Sequence, residues 1–487
     1  MDLPNDTTRT PHVLLIVADG VRPDLLADEV QRGRTPSVSA LVARGGLHTV
    51  STAFPSVTGP AYVPFLMGRH PATAGLPGLR WFDRARSLRW SARQARSYAG
   101  IDIWHVDHDV HAQHPTLLEL ARPSLSAMSM LARGATHGRI GRSIAWMLRA
   151  APSHFRGDIL GWRRVEQAAT AHFFRRFAAV RPRFAVLAIA SPDKFAHAFG
   201  HDADPVREVI GDIDRAIATA HAIAARDQWD GPLHVWIVGD HGHAPVSQHD
   251  DLHGWLEDEG WRVMAHPSLK TRRADLALMV GGNAMAHLYA HPHQRTRSWW
   301  GTHGTRWDAL ADALIQRPSV DLMAMAHDAQ RVEVRHAARG RAWIRDSTPR
   351  DTPWHDRRWE YEPIDGDPLR LGGGHRALDA HDAWQLCATS PYPDAIVQLS
   401  ILTTAERAGD VIVSASEGWD LRARFEPVTH VSTHGALLRE QMHVPLVLDV
   451  PVERPPQRTT DVVPSALDLL GITTAAEFDG QSFLRQR

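Results

Sequence analysis

The sequence predicts an α/β fold with a mostly parallel central sheet, on the evidence of three apolar runs and the segments between them. HVLLIVAD (12–19), RFAVLAIASPD (183–193) and LHVWIVGDHG (233–242) are continuous and rich in β-forming residues. Such runs are typical of strands that are covered on both faces. Stretches with helical spacing lie between them, and alternation of strands and helices favours a parallel sheet.

The remaining elements follow in chain order. Residues 205–227 carry apolar side chains at helical spacing and predict a long helix. The core is expected to resume at about residue 391, where DAIVQLSIL, DVIVSAS and VPLVLDV predict further strands. The segment RTTDVVPSALDLLGI (458–472) predicts a closing helix.

Two segments interrupt the alternation of strands and helices. Residues 81–175 are rich in Arg, His and Trp and predict an inserted, mostly helical cap. The basic amphipathic stretch at 132–157 could lie on a membrane surface, but packing against the core is favoured. Residues 301–390 are polar and predict a second, loop-rich insertion. The predicted core is therefore discontinuous and comprises residues 1–80, 176–300 and 391–487.

Composition narrows the function classes. The chain has 487 residues, is 43% hydrophobic and can bury a large core. Its net charge of −1 gives no electrostatic reason to expect a nucleic-acid polymer as a partner. The single cysteine, Cys387, excludes an intramolecular disulfide and a cysteine-based metal site. The sequence shows neither a signal peptide nor a transmembrane run, so a cytoplasmic location is expected, and the oligomeric state stays open.

An aspartate stands at or just after the end of each apolar run: Asp19, Asp193 and Asp240. The carboxyl ends of parallel strands meet at one edge of a sheet, so these three side chains are expected to converge. Any one of them could simply cap a following helix. Three together, two of them with histidines nearby, favour a shared site.

Histidines and one threonine extend this group. His241 follows Asp240 directly, and His197 lies four residues after Asp193, on the same face if the segment is helical. His434 precedes a predicted strand. Thr58, among the turn-forming and small residues of FPSVTGPAYVPFLMG (54–68), is either a helix cap or a reactive hydroxyl.

Seven such ligands exceed the needs of one tetrahedral ion and suit two divalent ions. Zinc accepts imidazole and carboxylate ligands, and manganese or iron suit the same set. Two ions stabilise the attacking and the leaving oxygen of an in-line displacement, and a hydroxyl held by one of them becomes a nucleophile at neutral pH. Thr58 is the candidate nucleophile. Of the other histidines, His201 is expected beside the site or exposed, and His430 and His443 in structural roles. His243 could face the site, but a position on a loop surface is favoured.

The order and spacing of five segments resemble the alkaline phosphatase superfamily, in particular its type I phosphodiesterase/nucleotide pyrophosphatase family. The resemblance implies a three-layer α/β/α sandwich with inserted cap regions. It covers both ends and the middle of the chain and leaves out the two insertions. The segments are IVADGVRPD (16–24), AFPSVTGPAY (53–62), SPDKFAHAFG (191–200), VGDHGHAPV (238–246) and STHGALLRE (432–440).

The resemblance also implies roles for single residues. It assigns one ion to Asp19, Thr58, Asp240 and His241, and the other ion to Asp193, His197 and His434. Thr58 would form a phospho-threonine that water then hydrolyses.

The chain departs from the family pattern at one position. Relatives usually carry an Asn three residues after the nucleophile, where this chain has Ala61. The backbone N–H of Gly59, at the start of the helix, is then the candidate contact for a phosphoryl oxygen.

These features predict a two-metal hydrolase that cleaves phosphodiester or nucleotide pyrophosphate bonds in a small substrate. A phosphonate hydrolase or a phosphoethanolamine-type transferase of the same superfamily is the first alternative. A catalytically inactive binding homologue is disfavoured because all seven ligands are present. A sulfatase is disfavoured because no C/S-x-P-x-R motif surrounds Thr58, and a phosphoglycerate-mutase-like isomerase because those relatives use Ser at that position.

Overall fold

The computed structural model describes residues 10–86, 95–266, 273–349, 352–424 and 428–485. The strands in these ranges are β1 (His12–Ala18), β2 (Leu47–Ser51), β3 (Arg80–Phe82), β4 (Ala95–Ser97), β5 (Ser124–Ala127), β6 (Arg139–Ile140), β7 (Phe184–Ile189), β8 (Leu233–Val238), β9 (Ala244–His249), β10 (Val263–Ala265), β11 (Leu276–Gly281), β12 (Met285–Ala290), β13 (Val320–Ala326), β14 (Arg331–His336), β15 (Gly340–Asp346), β16 (Trp359–Pro363), β17 (His375–Leu378), β18 (Val411–Ala415), β19 (Gly418–Asp420), β20 (Ser432–Thr433) and β21 (His443–Val447).

The α-helices in the same ranges are α1 (Pro23–Gln31), α2 (Pro36–Gly45), α3 (Tyr62–Met67), α4 (Val106–Asp109), α5 (Leu117–Leu120), α6 (Ile144–Phe155), α7 (Ile159–Val180), α8 (Ser191–Phe199), α9 (Asp204–Arg226), α10 (Leu252–Asp258), α11 (Thr305–Ile315), α12 (Ala380–Ala388), α13 (Ala395–Thr404), α14 (Arg439–Met442) and α15 (Val462–Leu469).

The central sheet has the strand order β2-β21-β8-β1-β7-β5-β6. Strand β1 pairs in parallel with both β7 and β8, and β5 pairs in parallel with β7 and β6. Only β21 is reversed: it runs antiparallel to β8 and to the edge strand β2. The three apolar runs are thus the adjacent central strands β8, β1 and β7, and the predicted mostly parallel sheet is confirmed.

Side chains of β1 alternate between the two faces of this sheet. Leu14 and Ile16 pack with apolar residues of α1, α2, α7 and α9. Val13 and Leu15 pack with those of α3, α5 and α15 on the other face. Burying a side chain of this size contributes about 1.5–3 kcal/mol, so both layers stabilise the strand. The three-layer α/β/α sandwich is confirmed.

A second sheet has the strand order β10-β11-β12-β18-β13-β14-β15-β16-β17. It is antiparallel except for the β10–β11 pair. Apolar residues of α13 pack against one set of its buried side chains, and those of α11 against another. A small sheet, β19-β9-β20, completes the part of the molecule that concerns the site.

Two segments carry more regular structure than their sequences indicate. The segment at 81–175 supplies β5 and β6 of the central sheet and α7, which packs on it. The segment at 301–390 supplies α11, α12 and β13 to β17 of the second sheet. The many charged residues in strands such as RVEVRH give a loop-like composition. The domain boundaries themselves stay predictions.

One predicted strand is a helix. DAIVQLSIL was expected to resume the sheet, but Ala395–Thr404 form α13 and nine of its ten residues are buried. A short run that is apolar on all sides cannot be assigned to strand or helix by periodicity. The later predictions hold, because DVIVSAS and VPLVLDV contain β18 and β21, and the closing helix contains α15.

Helix α6 lies in the basic stretch and has an exposed apolar side. Ile144, Leu148 and Phe155 expose 65%, 70% and 73% of their surface, and none of the α6 residues, all of which the structure describes, is buried. Within the described ranges, no helix has the length and apolar character needed to cross a bilayer.

Candidate metal centre

Three neighbouring strands bring the predicted aspartates to one edge of the central sheet. Asp19 directly follows β1, Asp240 comes two residues after β8, and Asp193 lies in the first turn of α8, just after β7. All three side chains are buried. The convergence expected from the strand ends is therefore present.

The first cluster contains Asp19, Thr58, Asp240 and His241. The Thr58 Oγ1 atom lies 2.9 Å from His241 Nε2 and 3.4 Å from Asp19 Oδ1. His241 Nε2 is 3.4 Å from Asp19 Oδ1 and 3.5 Å from Asp240 Oδ2. Ligand atoms of the two aspartates and His241 all lie within 4.8 Å of one another, a spacing that one ion could bridge.

The second cluster contains Asp193, His197, His434 and one residue that sequence reasoning placed elsewhere, His243. Asp193 Oδ1 lies 3.2 Å from His197 Nε2, 3.5 Å from His434 Nε2 and 3.0 Å from His243 Nε2. The expectation that His243 lies on a loop surface was wrong, because its side chain is fully buried. Residues two apart share a face in an extended segment, so the spacing from His241 was a usable signal.

The hydrogen bonds of the rings determine where their protons lie. Backbone carbonyl oxygens accept from Nδ1 of three rings: Ser432 from His197 at 2.8 Å, Ser56 from His434 at 3.0 Å and Gly242 from His241 at 3.1 Å. A carbonyl oxygen can only accept, so Nδ1 carries the proton and a neutral ring presents the Nε2 lone pair to the carboxylates. Metal-binding histidines usually show this arrangement.

The two carboxylate oxygens of Asp240 differ in their hydrogen bonds to the described part of the chain. Its Oδ1 atom accepts hydrogen bonds from the backbone N–H groups of Gly20 at 3.2 Å and His241 at 3.0 Å. Its Oδ2 atom is buried and has no hydrogen-bond partner among the described residues. Leaving such an atom unsatisfied costs about 1–3 kcal/mol or more. A divalent cation would satisfy it, so the residues present fit a metal site.

Burial and crowding shift the ionisation of these groups. Burial, reinforced by the charges of Asp240 and Asp193, raises the pKa of Asp19 well above its usual range. Burial also raises the pKa of Asp240. Burial lowers the pKa of His243 to about 3 and the pKa of His434 well below its usual value. The site thus gathers carboxylates beside neutral imidazoles, a combination that favours a dication.

Asp193 differs from the other two carboxylates. Burial opposes its ionisation, and positive charge on His197 and His243 would hold the pKa of this carboxyl well below its usual range. Where these rings are neutral, a bound cation would have the same effect.

The chain around Thr58 differs from the expected helix start. Helix α3 begins at Tyr62 with Ala61 as its N-cap residue, so Thr58 lies four residues before the helix and does not cap it. Gly59 has a φ of +105°, a conformation that favours glycine. Ala61 is fully buried. Gly59 and Ala61 thus adjoin the hydroxyl in a turn, and the helix terminus lies further along.

The remaining histidines lie outside the two clusters. His201 Nε2 is 3.3 Å from Arg22 Nη1. The ring of His430 stacks on that of His197 with their centroids 4.0 Å apart. His443 begins β21.

Comparisons with known proteins agree with this architecture. The model of the family described as type I phosphodiesterase/nucleotide pyrophosphatase matches residues 13–437. No curated protein matches the sequence significantly. Among solved structures, human ectonucleotide pyrophosphatase/phosphodiesterase 5 aligns with a TM-score of 0.57 and 16% identity over 97% of each chain.

Two further structures are similar in fold. Phosphonoacetate hydrolase from Sinorhizobium meliloti 1021, in complex with phosphonoacetate, has a TM-score of 0.54 and 14% identity over 95% of this chain and 96% of its own. An inactive murine ectonucleotide pyrophosphatase/phosphodiesterase 5 in complex with AMP has a TM-score of 0.54 and 15% identity over the same shares. The family match spans most of the sequence and contains every predicted ligand. This chain therefore belongs to the type I phosphodiesterase/nucleotide pyrophosphatase family of the alkaline phosphatase superfamily.

Proposed function

We propose that the protein hydrolyses phosphodiester or nucleotide pyrophosphate bonds of a small substrate at a two-ion site, with Thr58 as the nucleophile. The observation that carries the proposal is the position of the Thr58 hydroxyl, 2.9 Å from His241 Nε2 and 3.4 Å from Asp19 Oδ1. Buried carboxylate and imidazole groups that can bind a metal ion surround this hydroxyl, and a purely structural threonine would not require them. Family membership supports the reaction class.

Each cluster would hold one ion. Asp19, Thr58, Asp240 and His241 form the first set, and the second set includes Asp193, His197 and His434. Zinc suits this mixture of nitrogen and oxygen donors, and manganese or iron can take the same ligands. Bound cations would neutralise charge on the reacting oxygens and lower the pKa of a nearby hydroxyl.

The chain's own contribution is to orient the hydroxyl. The Thr58 Oγ1 atom attacks phosphorus in line, an Oγ1–P bond forms, and the bond from phosphorus to the leaving oxygen breaks. The hydroxyl proton leaves Oγ1 as this bond forms, and overall one proton passes from the hydroxyl to the leaving oxygen. Water then attacks the phospho-threonine, the Oγ1–P bond breaks, and Thr58 recovers its proton.

Small residues beside Thr58 leave space for the phosphoryl group. Gly59 has no side chain, and Ala61 presents only a methyl group where relatives usually carry an Asn amide. In this proposal the backbone N–H of Gly59 contacts a phosphoryl oxygen and replaces that amide.

The test compares Thr58→Ala with Thr58→Ser in the zinc-loaded enzyme, using bis(p-nitrophenyl) phosphate. We expect the alanine variant to lose turnover by about 10³-fold or more while keeping both ions, and the serine variant to retain part of it, since it keeps a hydroxyl. Mass spectrometry of quenched wild-type enzyme should detect a modified Thr58. Near-wild-type turnover by Thr58→Ala would refute the assignment.

Ala61 favours one second candidate, a phosphonate hydrolase or phosphoethanolamine-type transferase. Without a polar side chain at this position, recognition of the transferred group differs from that of the usual relatives, and one fold neighbour is a phosphonoacetate hydrolase. Comparing p-nitrophenyl monoester, diester and phosphonate substrates separates the candidates. Preference for the diester supports the main proposal, and exclusive monoesterase activity contradicts it.

A further inference from the structure

We propose that His243 is a fourth protein ligand of the second ion, in addition to Asp193, His197 and His434. This inference rests on the proposed two-ion function and concerns one residue that neither the sequence motifs nor the family resemblance assigns. It follows from three observations: the position of the ring proton, the distance to Asp193, and the packing around the ring.

Ser432 determines which nitrogen of His243 carries the proton. The His243 Nδ1 atom lies 3.1 Å from Ser432 Oγ, and that hydroxyl donates to the carbonyl oxygen of Ala244 at 3.0 Å. A hydroxyl has one proton, which the carbonyl already receives, so Ser432 Oγ must accept from Nδ1–H. The Nε2 atom of the neutral ring therefore carries a lone pair and no proton.

This lone pair is directed at a carboxylate. His243 Nε2 lies 3.0 Å from Asp193 Oδ1, and both side chains are buried. Two acceptors at that distance without a hydrogen between them repel, unless a cation binds both. The Nε2 atoms of His197 and His434 approach the same oxygen at 3.2 and 3.5 Å. The four donor atoms thus surround one position.

The surrounding residues accommodate the His243 ring and restrict its rotation. A Cβ atom on Gly20, whose φ is +71°, would lie 2.9 Å from His243 Nε2. The Arg22 Nη1 atom donates to the His243 carbonyl oxygen at 3.2 Å. The ring packs against those of His197 and His434, with centroids 4.8 and 5.2 Å away, and those two rings are themselves 5.1 Å apart. The imidazole is therefore held facing Asp193 by its neighbours.

A fourth protein ligand in the second cluster would give the two ions different roles. Four protein donors fill the usual coordination number of zinc in closed sites, whereas catalytic sites keep a position open. The second cluster would then act mainly through its charge. The first cluster also counts four protein donors, but one of them is the reacting hydroxyl of Thr58.

Metal binding by the full-length His243→Ala protein tests the inference without an activity assay. Zinc would be titrated calorimetrically against a competing chelator, and cobalt would be substituted to record its visible absorption. Loss of a supporting residue typically weakens binding 10–100-fold, so loss of a ligand should weaken one of two ions by about 100-fold or more. The cobalt spectrum should change as well. His201→Ala, a neighbouring histidine that bonds Arg22, is the matched control and should bind both ions normally.

The outcomes separate this inference from the proposed function. If His243→Ala binds two ions with wild-type affinity and its cobalt spectrum is unchanged, His243 is not a ligand. The two-ion proposal would be unaffected by that result. Weaker binding with an unchanged spectrum would also refute it, because the ring would then only position other ligands. A wild-type protein that binds fewer than two ions would contradict the proposed function itself. If His243→Ala does not fold, Gly20→Ala crowds the same ring and should alter the spectrum of the same ion.

Discussion

At the scale of single residues, the site depends on where protons and lone pairs lie. Ser432 orients two imidazoles: its carbonyl oxygen accepts from His197 Nδ1, and its hydroxyl lies 3.1 Å from His243 Nδ1. Ser432 is 235 and 189 residues away from these histidines in the sequence, and the pairing of β20 with β9 brings it beside them. A serine in this role has no local sequence signal.

Glu166 is a second residue whose importance appears only in the structure. Its buried carboxylate accepts from the backbone N–H groups of Ala190 at 2.5 Å and Ser191 at 3.2 Å, where α8 begins. Burial raises the pKa of this carboxyl to about 7, although these hydrogen bonds act in the opposite direction. The folded state therefore carries a carboxyl that is protonated over a wider pH range than in the unfolded chain.

The resulting pH dependence is the first prediction. Between about pH 4.5 and 7 the unfolded chain loses this proton before the folded protein does, so the free energy of unfolding should fall as pH rises. A rise from 4.5 to about 7 corresponds to a loss of about 3 kcal/mol, completed above pH 7. Glu166→Gln should lack this contribution, as measured by urea unfolding at several pH values. The exposed Glu259→Gln is the control, and parallel pH profiles for wild type and Glu166→Gln would contradict the prediction.

Most residues of the two clusters could be predicted from the sequence, and the reason is local. Asp19, Asp193 and Asp240 follow apolar runs, and His197 and His241 stand at short, interpretable distances from two of them. For His243, the spacing from His241 indicated only which side of the chain it lies on, and its burial depends on Gly20 and Ser432, which approach from distant parts of the chain. Contacts of that kind are set by tertiary packing, which spacing along one segment does not report.

At the scale of elements, the turn between β11 and β12 supports the second cluster. Thr433 Oγ1 donates to the Gly282 carbonyl oxygen at 2.9 Å, and Ala284 N–H donates to the His434 carbonyl oxygen at 3.1 Å. Asn283 and His434 form a parallel bridge. The second sheet thus holds the segment that carries His434, although it supplies none of the predicted ligands itself.

Gly282 gives the second prediction. Its φ is +59°, and an added Cβ would lie 2.7 Å from the His434 carbonyl oxygen and 2.9 Å from His434 Nδ1. Gly282→Ala should therefore displace this imidazole and weaken one of the two ions, measured by zinc titration. Gly33→Ala is a matched control, since Gly33 has a φ of +68° and a Cβ there meets nothing within 4 Å among the described residues.

Both substitutions carry a similar backbone penalty of about 1–2 kcal/mol. Only Gly282→Ala should change metal affinity. Equal zinc affinities in the two variants would show that the turn does not support His434.

Sequence patterns were less informative for elements than for ligands. The parallel strands could be identified because both of their faces are buried, which makes them apolar throughout. Helix α13 is buried in the same way and was assigned as a strand for that reason. The strands of the second sheet carry many charged residues, and their pairing depends on partners that composition cannot identify.

At the scale of the whole molecule, the two clusters join parts of the chain that are far apart in sequence. The first cluster joins β1, the Thr58 turn and the end of β8, and the second adds the segment before α14. A ligand that binds only the folded state stabilises it by about 2.7 kcal/mol at a concentration of 100 times its dissociation constant. Metal binding should therefore stabilise the fold as a whole.

This linkage gives the third prediction. Removing metal with a chelator should lower the melting temperature, and added zinc should restore it, as followed by circular dichroism. His434→Ala should bind one ion fewer, so added zinc should raise its melting temperature by less than in the wild type. Thr58→Ala should retain most of the wild-type increase. A melting temperature that does not respond to zinc, manganese or iron would contradict the presence of metal sites in this fold.

The order of the central strands explains how the spacing of such a site can be kept while the sequence changes. Asp240, Asp19 and Asp193 follow the adjacent strands β8, β1 and β7. Neighbouring strands lie about 4.8 Å apart because of backbone hydrogen bonding, which is the same for almost any side chains. The separation between the carboxylates is thus inherited from the peptide backbone. Chains that share only 14–16% identity can diverge almost everywhere else and still keep the same fold and, with it, the same spacing of strand ends.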